Sequence, residues 1–326
     1  MIARFDLAPL DGITKRVFRR VWRRHFGGAD RCFIPFISPT DQHILTPRDR
    51  RELESDGPDL PQVPQVMAKR AADALWAAET LADMGFREVN LNLGCPSGTV
   101  TAKGKGSGLL LDPDGLDRFL DEVFSSTAVP VSVKTRLGYH VPEEFPRLLE
   151  IFNRYPIACL TVHPRVRPEK YRGAVHMDAF AFALAESKNP VCYNGDLTSV
   201  EGVRALEARF PDLEAVMIGR GAVADPALFR RLRGGPAATK EELRAFTQDL
   251  YRSYQEFYGQ SAPDGQAAPA SQRMKEVWFY LIHLFDGGER LGGRMRRSRG
   301  PRAYEELEAR IFQELDLLDA PRGELA

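Results

Sequence analysis

The sequence predicts an α/β protein: a closed (β/α)8 TIM barrel followed by a small C-terminal all-helical domain. Three observations point there. First, eight short β-rich runs recur through the first two-thirds of the 326-residue chain: Ala3–Ala8, Cys32–Ile37, Val63–Met67, Val89–Leu93, Val131–Thr135, Cys159–His163, Val191–Asn194 and Ala215–Gly219. Second, helical patterns or turn-rich loops separate them, and about 230 residues for eight such units approaches the usual size of a barrel. Third, the rhythm breaks at Gly234-Gly235-Pro236, and only helical periodicity follows. A doubly wound open sheet uses the same unit, but eight regular repeats favour closure. The expected division is residues 1–235 for the barrel and 236–326 for the helical domain.

Each element has a local reason. Apolar spacing predicts helices over Thr14–Phe26, Lys69–Met84, Pro113–Phe124, Pro142–Arg154, Asp178–Ser187, Ser199–Phe210 and Pro226–Leu232. Asp112-Pro113 and Asp225-Pro226 each put a capping acid before a proline at the first helical position, where its missing N–H is no loss. The link from the second run to the third has the weakest pattern. Beyond the break, Thr239-Lys240-Glu241-Glu242 is a capping box opening a helix that runs through Tyr258. Gln260–Ser271, rich in Ala, Pro, Gly and Gln, is expected to be a loop. Two further helices are expected near Gln272–Phe285 and Arg302–Leu318.

Composition narrows the function classes. Forty-five basic and 45 acidic residues balance, so no global field attracts a polyanion, and a nucleic-acid partner needs local patches. The segment Met1–Asp6 has no long apolar stretch of the signal-peptide kind. No apolar run approaches the roughly 18 residues that span a bilayer, so no membrane association is expected. Cys32, Cys95, Cys159 and Cys192 lack CxxC spacing and suggest neither a disulfide framework nor a zinc site. No metal is expected, and a reducing cytoplasm is the expected location. Cys32, Cys159 and Cys192 lie inside apolar runs and are expected to be inert core residues.

In a barrel, the C-terminal strand ends converge on one mouth. Here those ends carry polar residues. The first run ends Ala8-Pro9-Leu10-Asp11-Gly12; the third supplies Gln65; the fourth, Asn92 and Cys95; the fifth, Lys134 and then Arg136. The sixth gives His163 with Arg165 and Arg167 beyond it, the seventh Asn194-Gly195-Asp196, and the eighth Gly219-Arg220-Gly221. Any one of these reads equally as a solvated or hydrogen-bonded structural residue. So many on one mouth must be solvated together or hold a ligand, because unpaired buried polar groups are costly. Gly219-Arg220-Gly221 before Asp225-Pro226 suits a phosphate, and a plain turn explains it equally well. Gly104-Lys105-Gly106-Ser107 lacks the full P-loop spacing and is not one. A cation at Lys134 would stabilise developing negative charge. Cys95 could serve as a nucleophile only with a depressed pKa, or as a proton donor while neutral.

With these residues assembled, the chain resembles the tRNA-dihydrouridine synthase family over nearly its whole length. The carriers are Ala8–Gly12, Gln65, Asn92-Leu93-Gly94-Cys95-Pro96 with its glycine-rich loop, Val133–Arg136, His163 with Arg165, Arg167, Tyr171 and Gly173, Asn194–Asp196, and Gly219-Arg220. The resemblance implies an FMN-bound barrel in which NADPH reduces the flavin, hydride passes from flavin N5 to uracil C6, and Cys95 protonates C5. It implies that Asn92 holds the uracil. Pro9, Gln65 and Lys134 would contact the ring system, with Ala8 and Leu10 also in the cofactor site. His163, Asn194, Gly195, Asp196, Gly219 and Arg220 would hold the ribityl and phosphate. Leu10, Ala68, Pro164 and Ala179 depart from common family wording. The alternative is an FMN barrel oxidoreductase acting on a free small molecule.

A folded RNA must give up its target base to such a pocket, which calls for cationic rims. Arg290, Arg294, Arg296, Arg297, Arg299 and Arg302 cluster among glycines and suggest a loop that follows RNA phosphates, against the plainer reading of a solvated basic loop. Arg165, Arg167, Lys103 and Lys105 beside the pocket are further RNA candidates. Lys15, Arg16, Arg19, Arg20, Arg23 and Arg24 line one face of the first helix, which reads first as a surface helix. Lys275, Trp278, Phe279 and Tyr280 read as core aromatics with one exposed cation. No protein partner is implied, and a monomer is expected.

Overall fold

A computed structural model describes residues 2–54, 60–259 and 268–325. Its centre is a closed barrel of eight parallel strands in chain order. These are β1 (Arg4–Leu7), β2 (Arg31–Ile37), β3 (Gln62–Val66), β4 (Val89–Leu93), β5 (Val131–Arg136), β6 (Leu160–His163), β7 (Val191–Tyr193) and β8 (Ala215–Ile218). Pairing of β1 with both β2 and β8 closes the ring.

Helices α1 (Arg16–His25), α2 (Pro47–Leu53), α3 (Ala71–Asp83), α4 (Gly98–Thr101), α5 (Pro113–Ser126), α6 (Phe145–Phe152), α7 (Met177–Glu186) and α8 (Val200–Arg209) lie between the strands. Asp112 caps α5 by accepting from the Gly115 N–H, with Pro113 at the first position, as its sequence predicts. The weakly patterned link between β2 and β3 contains α2, opened by a Thr46–Asp49 capping box.

Register explains where the core and the chemistry lie. Neighbours on a strand face opposite sides. Leu91, Leu93, Val131, Val133, Leu160 and Val162 belong to the large apolar cluster shared with Leu116, Leu120, Phe145 and Phe152 of the helices. A second small cluster, Ala8, Phe33, Val63, Cys159, Cys192, Ala215 and Met217, shares the opposite, interior parity. Asn92 pairs with Lys134, and Arg136 with His163, so these polar residues share that interior face.

After β8 the chain forms α9 (Arg220–Ala224) and α10 (Leu228–Leu232). The helix expected to begin at Pro226 therefore starts two residues later. Asp225 spends its carboxylate on the Ala227 N–H and on Arg231 within the turn between α9 and α10. The Thr239–Glu242 capping box forms as expected and opens α11 (Lys240–Gly259). That helix lies along α1 through Phe18, Phe26 and Phe246. Then follow α12 (Ala268–Leu281), α13 (Glu289–Arg297) and α14 (Gly300–Glu314). The expected loop over Gln260–Ser271 falls partly outside the described residues, and from Ala268 onward it is helix.

Three further expectations change. Most of the Arg-rich stretch is not a loop: α13 covers Arg290 to Arg297 and α14 takes in Arg302, and Gly292 lets α13 approach Ile282, where an added Cβ would stand 3.0 Å from Cγ1. Leu291 and Met295 are buried, and Arg294, Arg296 and Arg297 remain exposed on the other face. Arg19 is not on the solvent face of α1; it is buried and donates to the carbonyls of Thr14 and Glu52. Cys159 is not a plain core thiol, since Arg4 Nη2 donates to its sulfur at 3.0 Å. The hydrogen bond from Cys192, with the charges of Arg4 and Arg31, lowers the Cys159 pKa, and burial raises that of Cys192.

Among the described residues no helix is long and apolar enough to cross a membrane, and no group of three or more His, Cys, Asp or Glu could hold a metal ion.

Candidate active site

The C-terminal strand ends surround a cavity of about 140 Å³ that opens to solvent. Ala8, Pro9, Leu10, Gln65, Lys134, His163, Asn194, Gly195, Asp196, Gly219 and Arg220 all line it, together with Asn92 and Cys95. Sequence reasoning missed Phe36 and Met217, which also line it. Strand parity signals Met217, which shares the face of Ala215, but not Phe36, which reaches the cavity through the register irregularity between Ile34 and Ile37.

Cys95 is fixed from several sides. Asn92 Oδ1 accepts from the Cys95 N–H at 2.9 Å and the Gly94 N–H at 3.1 Å. Arg136 Nε donates to the Gly94 carbonyl at 2.8 Å. Ser107 donates to the Cys95 carbonyl through its hydroxyl at 2.9 Å and its N–H at 3.1 Å. Gly106, at φ 59°, is required: a Cβ there would stand 2.9 Å from Cys95 Cβ. Burial pushes the Cys95 thiol above its ordinary range, so it stays protonated at neutral pH. That suits a proton donor and not a nucleophile.

Lys134 projects from β5 into the same cavity. Burial, then the charge of Arg136, lowers its amine to about 7. No carboxylate or hydrogen-bond acceptor among the described residues satisfies it. Burial, then Arg136 and Lys134, holds His163 well below its usual range, so its imidazole is neutral.

The far side of the mouth is cationic. Tyr171 lies between Arg136 and Arg220, with the guanidinium carbons 5.3 and 5.1 Å from its ring centre, and it stacks on His163. Arg220 pairs with Asp196 at 2.5 Å and donates to the Leu325 carbonyl at 2.7 Å. Asn194 Nδ2 donates to the Met217 carbonyl at 2.7 Å, which leaves its oxygen for the cavity.

The RNA candidates separate. Arg165 is 1% exposed and is taken by Asp196, the Arg172 and Gly173 carbonyls and His163. Its expected contact with RNA gives way to a structural one. Arg167 stacks on Tyr139 at 4.7 Å with a buried Nε, and it does not line the cavity. Lys105 is tied to the Ser38 hydroxyl at 2.7 Å, while Lys103 is exposed beside it. Arg294, Arg296, Arg297 and Arg299 are all exposed. Trp278 is buried as expected, but Phe279 and Tyr280 are half-buried at the surface.

The dihydrouridine synthase family profile matches residues 6–275. The chain belongs to the dihydrouridine synthase family. It is 31% identical over 235 residues to the tRNA-dihydrouridine synthase B of Pasteurella multocida (strain Pm70), covering 70% of this chain and 68% of that one. A probable tRNA-dihydrouridine synthase of Rhizobium leguminosarum bv. phaseoli is 27% identical over 318 residues, covering 96% and 95%. Among solved structures, a morphinone reductase in complex with tetrahydroNAD aligns with a TM-score of 0.51 at 14% identity, over 73% of this chain and 88% of that one. This last likeness concerns the fold alone. Family membership makes the chain an oxidoreductase.

Proposed function

We propose that this chain reduces uridine in tRNA to 5,6-dihydrouridine, with FMN bound at the barrel mouth and NADPH as reductant. The observation that carries this reading is the pairing of an unsatisfied cation, Lys134, with a neutral thiol, Cys95, on one cavity. A half-buried amine that faces a cavity without a protein acceptor suits an anionic or electron-rich ligand. The residues present fit a flavin: amide and cation donors on the strand ends, with Gly219 and Arg220 for a phosphate. A bound flavin supplies the hydride, renewed from the nicotinamide.

The chain's own residues do the rest. Lys134 holds negative charge near the ring system. Asn92 donates to the pyrimidine. Cys95 gives its proton to C5, and solvent restores it. His163, Asn194, Gly195 and Asp196 line the ribityl path, and Ala8, Pro9, Leu10 and Gln65 form the floor. Lys103, exposed on the glycine-rich loop that follows Cys95, meets the RNA where a flipped nucleotide enters. The helical part, 236–326, binds tRNA through Arg294, Arg296, Arg297 and Arg299. The enzyme acts as a cytoplasmic monomer.

The test is dihydrouridine mapping of tRNA from a strain lacking this gene, with and without complementation. Loss of dihydrouridine at defined positions and its return on complementation is the expected result. An unchanged map, with flavin turnover on free enoates or pyrimidines, would favour the small-molecule alternative.

A further inference from the structure

Three amides and a hydroxyl form one unbroken line across the barrel interior. Asn92 Nδ2 donates to Gln65 Oε1 at 2.7 Å, Gln65 Nε2 to Asn90 Oδ1 at 2.8 Å, and Asn90 Nδ2 to Ser132 Oγ at 2.9 Å. The two deepest members are almost wholly enclosed, Asn90 at 0% exposure and Ser132 at 1%. Neither lines the cavity.

The line has one direction. A backbone N–H can only donate, so those of Gly94 and Cys95 turn the Asn92 oxygen toward the loop. The Asn92 nitrogen must then face Gln65, and the same polarity passes through Asn90 to Ser132, whose hydroxyl can take either part. With both lone pairs of Asn92 Oδ1 used, only an N–H remains for the cavity. That group serves a carbonyl oxygen and rejects an amino group, because two opposed donors leave each other unsatisfied.

Packing does not require these polar residues. Val63, Ala215 and Met217 face the same interior with apolar side chains. Replacing both partners of a buried hydrogen bond by apolar groups of like shape is nearly neutral for stability. A fully satisfied line instead gives a unique orientation.

We propose that Asn90 and Ser132 are positioning residues: they hold Gln65, and through it Asn92, in one polarity, so that the site selects a pyrimidine edge bearing a carbonyl oxygen. Uracil has that carbonyl at C4, and cytosine has an amino group there. The proposal rests on the reading of this mouth as a flavin-dependent uridine site.

The test compares Asn90→Leu with Asn90→Asp, which keeps an oxygen facing Gln65. Flavin absorption, tRNA affinity and the two half-reactions are read separately. For Asn90→Leu the flavin stays bound, its visible band shifts as Gln65 is released, and flavin reduction by NADPH is unchanged. Uridine reduction slows by about tenfold, the scale of one aligned hydrogen bond, with unchanged tRNA affinity. Asn90→Asp restores most of the rate. Transcripts carrying cytidine at the target position, followed by flavin fluorescence, are rejected by the parent protein and less sharply by Asn90→Leu. If Asn90→Leu does not hold flavin, Ser132→Ala, which removes only the last hydroxyl, is read in the same way with smaller shifts. An unchanged flavin band with unchanged uridine preference overturns the proposal, as does a loss shared equally by both half-reactions and not restored by Asn90→Asp. If the parent protein makes no dihydrouridine, the functional reading fails, and the flavin band alone still decides whether this line positions Gln65.

Discussion

The two faces of the barrel wall are built from the same strands and do opposite work. The outer face of β4 to β6 presents Leu91, Leu93, Val131, Val133, Leu160 and Val162 to the helices. Alternate residues of those strands turn Asn90, Asn92, Ser132, Lys134, Arg136 and His163 inward. Strands of parallel sheets usually read as continuous apolar runs because both faces are covered. Here the inner face departs from that habit toward the mouth. Stability is carried by the outer face, and the inner face accepts the cost of buried polarity for a site.

Three variants break or sharpen this contrast. The largest effect is expected on the outer face. Leu160→Ala, at a fully buried position, should lower unfolding stability by about 2–5 kcal/mol in denaturant melts. Flavin chemistry of the folded fraction should be unchanged. On the inner face Lys134→Met should do the reverse. In the free protein the Lys134 amine sits near 7, below its unfolded value of 10.5, so the unfolded chain binds more protons between those limits and stability rises with pH across them. An anionic ligand favours the ammonium, so flavin binding should take up a proton above pH 7. Affinity should then fall by up to about tenfold per pH unit in that window. Lys134→Met should remove this slope in a flavin titration and stabilise the free protein near pH 7. The smallest effect lies outside the barrel: changing Arg294, Arg296 and Arg297 to Gln should weaken tRNA binding and flatten its salt dependence by about two to three units of log–log slope. Flavin reduction should not move.

The outer face was the more legible of the two. Apolar β-rich runs place all eight strands to within a residue or two, because β-branched residues and turn punctuation mark them locally. The mouth was legible as residue types at strand ends, since a barrel gathers those ends whatever their sequence separation. Partnerships were not legible. The spending of Arg165 on Asp196 depends on contacts between β6 and β7. The helix through Arg294 was hidden because glycine opposes helices locally, and only packing against Ile282 repays it. The polar line below Asn92 was invisible for the same reason: Gln65, Asn90 and Ser132 come from three strands.

The central claim is that the inward face joins a flavin site to a neutral thiol that acts as the acid. Cys95→Ala, with the two half-reactions measured apart on the flavin-loaded enzyme, tests it most directly. Flavin reduction by NADPH should be unchanged, and uridine reduction in unmodified tRNA should fall by about a hundredfold or more. Undiminished dihydrouridine formation by Cys95→Ala would contradict the account.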